Sequence, residues 1–158
     1  MNILVVIEHS QASIHRLSKE AIVGAQNLAN KVTALVIGEG SEETISFLKA
    51  CDLERVLTVD HELVKSYNAD GYSSIVSQVI ETLSPNLVIA GHTYQTRDFM
   101  PRVSAKLRLP FIPDIVSVCD NKYIKQILNA KLSAEISSSM NQFILSFQSG
   151  AFSEEDLE

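Results

Sequence analysis

The chain has 158 residues, room for one ordinary domain and not for a second full-sized one. Apolar residues make up 46% and charged residues 20%, a globular rather than a disordered composition. Thirteen Lys and Arg against nineteen Asp and Glu give a net charge of −6, which argues against non-specific nucleic-acid binding.

The opening Ile3–Ile7 is a continuous apolar run rich in β-branched residues, the pattern of a strand buried on both faces. Residues 13–30 read as a helix, with Ser13 as N-cap and Leu17, Ala21, Ala25, Leu28 and Ala29 at helical spacing. Val32–Ile37 is the second strand and ends at Gly38-Glu39-Gly40. Ser41 with Glu42, Glu43 and Thr44 opens a short helix through Ala50, its acidic pair facing the positive helix end. Arg55–Val59 is the third strand, followed by a polar connection with one helical turn at 62–65. Tyr72–Leu83 is a helix stopped by Ser84-Pro85, and Leu87–Ala90 is a fourth strand ending at Gly91.

A helix is predicted from Asp98, its cap, to Leu107, with Pro101 tolerated only in the first turn. Leu109–Pro113 reads as a turn. Four strand-like runs then follow without helices between them: Ile115–Val118, Tyr123–Leu128, Leu132–Ser137 and Phe143–Phe147. Alternating βα units require a mostly parallel sheet covered by helices, and the last third adds antiparallel strands to it. The expected fold is a three-layer α/β sandwich, Rossmann-like and of the adenine nucleotide hydrolase-like type. Its first strand is central and its strand order is 3-2-1-4-5. The domain is expected over residues 1–152, with 153–158 an acidic, frayed tail.

Cys51 and Cys119 are too few for a disulfide scaffold and read as reduced packing residues. The N-terminus has no basic leader or cleavage site, and no stretch reaches the ~18 apolar residues of a membrane span, so a cytoplasmic protein is the default expectation. Neither GxxxxGK[ST], nor GxGxxG after the first strand, nor GxSxG, nor HExxH occurs. His9, His15, His61 and His92 are scattered singles, so neither a metal site nor catalytic residues are expected.

In open α/β sheets, ligands bind outside the carboxyl ends of the strands. Glu8, His9 and Ser10 follow the first strand, and Gly91 and His92 the fourth, which makes these five the crevice candidates. A purine nucleotide lying there is one reading; solvated loop residues are the other. From Gly91 to Leu107, Arg97, Asp98 and Arg102 give local charge inside an acidic chain. That segment reads as a phosphate site, a docking face or a capped surface helix.

Met1-Asn2-Ile3-Leu4-Val5-Val6-Ile7-Glu8-His9, the helix Arg97-Asp98-Phe99-Met100-Pro101-Arg102-Val103 and the segment Pro113-Asp114-Ile115-Val116 together resemble the N-terminal domain of the electron transfer flavoprotein alpha subunit. The resemblance covers essentially the whole chain. It implies a scaffold and intersubunit domain that pairs with a beta subunit and serves electron transfer from dehydrogenases. FAD sits chiefly on a separate flavin domain in that family, so FAD is expected in the complete family protein and none on this chain alone. It also makes Arg97, Asp98, Phe99 and Arg102 the partner-contact candidates. The chain departs from the family at Leu128-Asn129-Ala130-Lys131-Leu132, where Tyr-Ala-Gly-Asn-Ala is common and Ala130 replaces the glycine. A stand-alone, universal-stress-like nucleotide-binding domain and a ligand-free interaction module are the competing classes. The first usually carries a glycine-rich phosphate clamp, and this chain has none.

Overall fold

A computed structural model describes residues 1–10, 13–40 and 42–158. The expected role of Ser41 at the start of the second helix lies outside the described residues. The elements in order are β1 Asn2–Ile7, α1 Arg16–Leu28, β2 Lys31–Ile37, α2 Glu42–Ala50, β3 Arg55–Val59, α3 Ala69–Leu83, β4 Leu87–Gly91, α4 Tyr94–Leu107, β5 Phe111–Cys119, β6 Lys122–Ile127, β7 Leu132–Ile136 and β8 Phe143–Phe147. Single 3₁₀ turns lie at Glu62–Val64 and Glu154–Asp156.

The eight strands form one sheet in the order β3-β2-β1-β4-β8-β5-β6-β7. β1, β2, β3, β4, β8 and β5 are mutually parallel; β6 and β7 close the sheet as antiparallel strands. The expected α/β sandwich and interior first strand are both present. The fifth place in the expected order is wrong, because β8 lies beside β4 and parallel to it, with β5 outside it. Of the four runs expected to be antiparallel, Ile115–Val118 and Phe143–Phe147 therefore run parallel to the main sheet. All five residues of Phe143–Phe147 are buried, as a parallel strand covered on both faces requires.

Strand alternation sorts the core into two layers. Ile3, Val5 and Ile7 of β1 face α1 and α2, packing with Ala21, Ile22, Ala25 and Leu48. Leu4 and Val6 face the other way and pack with Val76 and Ile80 of α3 and Phe99, Met100 and Val103 of α4. Helices thus cover both faces.

Local capping chemistry shifts several boundaries. α1 begins after His15, whose Nδ1 accepts the Leu17 N–H at 3.1 Å, rather than at Ser13. α3 starts three residues earlier than expected, because the Asn68 side chain caps it by accepting the Gly71 N–H at 2.7 Å. β5 begins at Phe111, inside the segment expected to turn, and runs through Pro113. Its pairing with β8 shifts between Ile112 and Ile115, and Asp114 takes a left-handed φ of 67° there. This is a bulge, the setting in which a strand tolerates proline.

The acidic tail is docked, not frayed. Leu157 packs on the α1-side core, and the Glu158 carbonyl accepts the Asp52 N–H at 2.7 Å and Gln26 Nε2 at 2.9 Å. Phe152 stacks edge-on against Phe147, and a Cβ on Gly24 would lie 2.7 Å from both rings. Glycine in α1 is what lets this segment close onto the sheet.

Candidate functional site

The chain passes from β1 to β2 and β3 on one side and returns to β4 on the other. The crevice beyond the carboxyl ends of β1 and β4 is therefore the topological switch point, where nucleotide ligands bind in such sheets. A cleft of about 390 Å³ opens there, lined by Glu8, His15, Leu17, His92, Thr93, Tyr94 and Arg97.

Two of the crevice candidates, Glu8 and His92, line it and Gly91 lies buried beside it; each of the three is already engaged. The Glu8 carboxylate accepts the Thr93 hydroxyl across the crevice. Thr93 in turn caps α4, its Oγ1 accepting the Thr96 N–H at 3.1 Å. A carboxylate of the chain thus lies at a helix N-terminus, the position an anionic ligand would take. Gly91 is buried beneath the start of α1. A Cβ there would stand 2.5 Å from Leu17 Cβ and 2.9 Å from the Leu17 carbonyl carbon and oxygen. Its missing side chain makes room for a helix. His92 is tied into β8, its N–H donating to the Phe147 carbonyl at 2.8 Å.

The His92 ring lies with Nδ1 2.8 Å from Ser146 Oγ and Nε2 3.8 Å from Asp114 Oδ1. Ser146 Oγ accepts the Asp114 N–H at 3.2 Å, so its own proton is free to go to His92 Nδ1. That assignment leaves Nε2–H facing Asp114. Burial pushes the His92 imidazole below the usual histidine range; Asp114 opposes the shift, while Arg97 and Lys125 add to it.

The other two candidates lie aside. His9 Nε2 is 2.9 Å from the Ile37 carbonyl, a bond that turns the ring toward the end of β2 and fixes the proton on Nε2. Its Nδ1 is buried with no hydrogen-bond partner among the described residues. Ser10 is exposed, its N–H bonded to the Ser13 carbonyl at 2.9 Å.

The partner-contact candidates divide as well. Thr93, not Asp98, caps α4, and Pro101 sits in the helix middle rather than its first turn. Lacking an N–H, Pro101 leaves the Arg97 carbonyl without its helical donor. Phe99, expected to offer apolar contact to a partner, is 2% exposed and stacks toward Tyr72 at 5.8 Å. It points inward because it shares the buried stripe of α4 with Met100 and Val103. Asp98 accepts the Tyr67 hydroxyl at 2.7 Å, and Arg102 pairs with Asp70 at 2.7 Å and Asp98 at 3.8 Å. These contacts tie α4 to the start of α3. Arg97 pairs with no carboxylate among the described residues; its guanidinium lies over the Tyr94 ring at 5.6 Å. Tyr94 is 88% exposed. Tyr94 and the Thr93 cap were not among the expected site residues. Thr93 itself, a good N-cap residue just after the end of β4, was the available signal for the cap; nothing in the sequence marked Tyr94 as exposed.

Among the described residues, no three His, Cys, Asp or Glu side chains are placed to hold a metal ion, and no helix is long and apolar enough to cross a membrane. Residues 3–158 match the family model described as "Electron transfer flavoprotein domain". The chain is 30% identical over 118 residues to the electron transfer flavoprotein subunit alpha of Bacillus subtilis, covering 73% of this chain and 36% of that one. It is 26% identical over 114 residues to the alpha subunit of Syntrophomonas wolfei, covering 72% and 36%. It is also 26% identical over 143 residues to the acryloyl-CoA reductase electron transfer subunit beta of Anaerotignum propionicum, covering 87% and 39%. The chain thus spans little more than a third of the length of these relatives. It belongs to the electron transfer flavoprotein family, in its alpha-subunit-like branch, where it corresponds to the N-terminal domain.

Proposed function

We propose that this domain is the scaffold and intersubunit part of an electron-transferring flavoprotein, and that it binds no redox group in its own crevice. The observation that carries this reading is the engagement of the crevice by the chain itself. Glu8 lies where a ligand's phosphate would need the α4 N-terminus, and Leu17 fills the space over Gly91. FAD does not fit this arrangement: its pyrophosphate would meet a carboxylate, and Gly91, the glycine at this crevice, is covered by Leu17. The flavin belongs on a separate flavin domain, and electrons reach it from dehydrogenases when that domain and a beta-type subunit are present. This domain's share of the work is rigid support and a docking face, on which Arg97 and Tyr94 stand free while Asp98 and Arg102 brace α4 from behind.

The test is co-expression with a beta-type subunit, followed by gel filtration and a calorimetric titration of the isolated chain with AMP and ATP. A co-eluting complex and no nucleotide heat are expected. Micromolar nucleotide binding without a complex would replace this reading with the stand-alone nucleotide-binding one.

A further inference from the structure

The depth of the crevice is taken, but its mouth is not. Neither Arg97 nor Lys125 pairs with a carboxylate among the described residues. Lys125 comes from β6, where its pairing with Ile115 sets it next to the Asp114 bulge. The two cations belong to one place: the fields of both reach the His92 imidazole and weaken its hold on a proton. His15 adds a donor. Its Nδ1 accepts the Leu17 N–H at 3.1 Å, which leaves the proton on Nε2 of an exposed ring that lines the cleft with Arg97 and Tyr94. The carboxylates nearby are already answered. Glu8 accepts the Thr93 hydroxyl at the start of α4, and Asp114 faces His92 Nε2 at 3.8 Å. In a chain of net charge −6, the charges left unpaired at this mouth are both positive.

We propose that the mouth of the crevice receives an acidic segment of a beta-type subunit, whose carboxylates pair with Arg97 and Lys125 and whose apolar neighbour lies on Tyr94. This inference rests on the intersubunit reading above and names the chemistry of the surface that faces the domain. The same residues that turn a nucleotide away admit a carboxylate. A phosphate needs the α4 N-terminus, which Glu8 holds, whereas a carboxylate needs only side-chain donors at the rim. Arginine's planar fork fits a carboxylate, and the exposed Tyr94 ring beside it offers apolar contact with little flexibility to lose. The two unpaired cations also repel a basic segment, which gives the contact its selectivity. A nucleic acid would meet an acidic chain around only these two charges.

The test is stopped-flow association of the 158-residue chain with a beta-type subunit, using the charge reversals Arg97→Glu and Lys125→Glu. Each is expected to lower the association rate about tenfold at low salt, and by less at high salt. Lys49→Glu makes the same change of net charge at an exposed position in the last turn of α2, and is expected to stay within about twofold of the parent chain. Arg97→Lys keeps the charge and should keep the rate, while dissociating faster for want of the guanidinium fork. Lys125 is half-buried, so urea midpoints accompany the rates; if Lys125→Glu is destabilised, Lys125→Gln replaces it, with an expected loss of about threefold. Parental rates in both reversed chains overturn this inference and leave the intersubunit reading standing. Faster association in them also overturns it, because the facing segment is then basic. A parent chain that forms no complex at all overturns the intersubunit reading and this inference together.

Discussion

The Glu8 carboxylate accepts the Thr93 hydroxyl, and this one bond joins the end of β1 to the cap of α4. It locks the switch point from inside and gives the α4 N-terminus a resident anion. Removing the hydroxyl takes away the cap and strands a half-buried carboxylate. Thr93→Ala is therefore expected to destabilise the domain by about 1–2 kcal/mol. Thr93→Ser, which keeps both bonds, should recover most of that. Urea midpoints of the two variants and the parent chain make the comparison.

Gly91 supports the same arrangement from the other side. Gly91→Ala drives a Cβ into Leu17, and an overpacked core site costs about 1–3 kcal/mol. Shortening Leu17 to alanine in the double variant should restore little of the loss, because alanine keeps the Cβ that stands 2.5 Å from the added atom and the Leu17 carbonyl stands 2.9 Å from it. Full recovery would place the obstacle in the Leu17 side chain beyond Cβ.

Much of this architecture is legible in the sequence. Ile3–Ile7 and Leu87–Ala90 announce buried parallel strands by composition, and their carboxyl ends locate the crevice without coordinates. What the sequence hides is non-local. Phe143–Phe147 reads as a strand, but nothing in its residues says that it inserts beside β4 rather than following β7. The α4 start was obscured because Asp98 and Pro101 both imitate N-terminal signals, while the hydroxyl of Thr93 does the capping. The closure of the crevice by Leu17 depends on where α1 lies over Gly91, a tertiary distance that no periodicity records.

Ala130 is the site of a predicted gain. Leu128, Asn129 and Ala130 all have left-handed φ values, 51°, 55° and 62°. A non-glycine residue in that region costs roughly 1–2 kcal/mol, and glycine's greater unfolded-state freedom offsets roughly half of it. Ala130→Gly should raise stability by about 0.5–1 kcal/mol, read as an increased urea midpoint. A glycine at this place would have a backbone reason: the turn needs φ > 0.

His92 gives the domain a pH dependence of definite sign. Its folded pKa lies below the ordinary value of about 6.5, so between those two values the unfolded chain binds more protons. Stability from this group is complete above about pH 6.5 and falls as the solution is acidified. His92→Asn should reduce the loss of stability between about pH 7.5 and pH 5, measured by urea midpoints at both values. An unchanged acid slope would mean that other groups carry it.

Arg97 and Arg102 are five residues apart on one helix, yet the structure gives them different work. Arg102 spends its charge within the chain, on Asp70 and Asp98, with about half of its side chain in solvent. Pairs that exposed contribute about 0–1 kcal/mol, so Arg102→Ala is expected to lower stability by less than about 1 kcal/mol. Among the described residues Arg97 pairs with no carboxylate, and it lies over an aromatic ring that solvent surrounds. Arginine beside an exposed tyrosine is the composition of interface hot spots, and a free rim charge acts mainly on association rate. Arg97→Ala should therefore leave the urea midpoint unchanged and slow association with a beta-type subunit several-fold at low salt, less so at high salt. Tyr94→Ala should act on the dissociation rate instead, since it removes contact area rather than charge. Stopped-flow association of the three variants at two salt concentrations separates these outcomes. Equal rates for Arg97→Ala and the parent chain would remove the docking face from this end of α4.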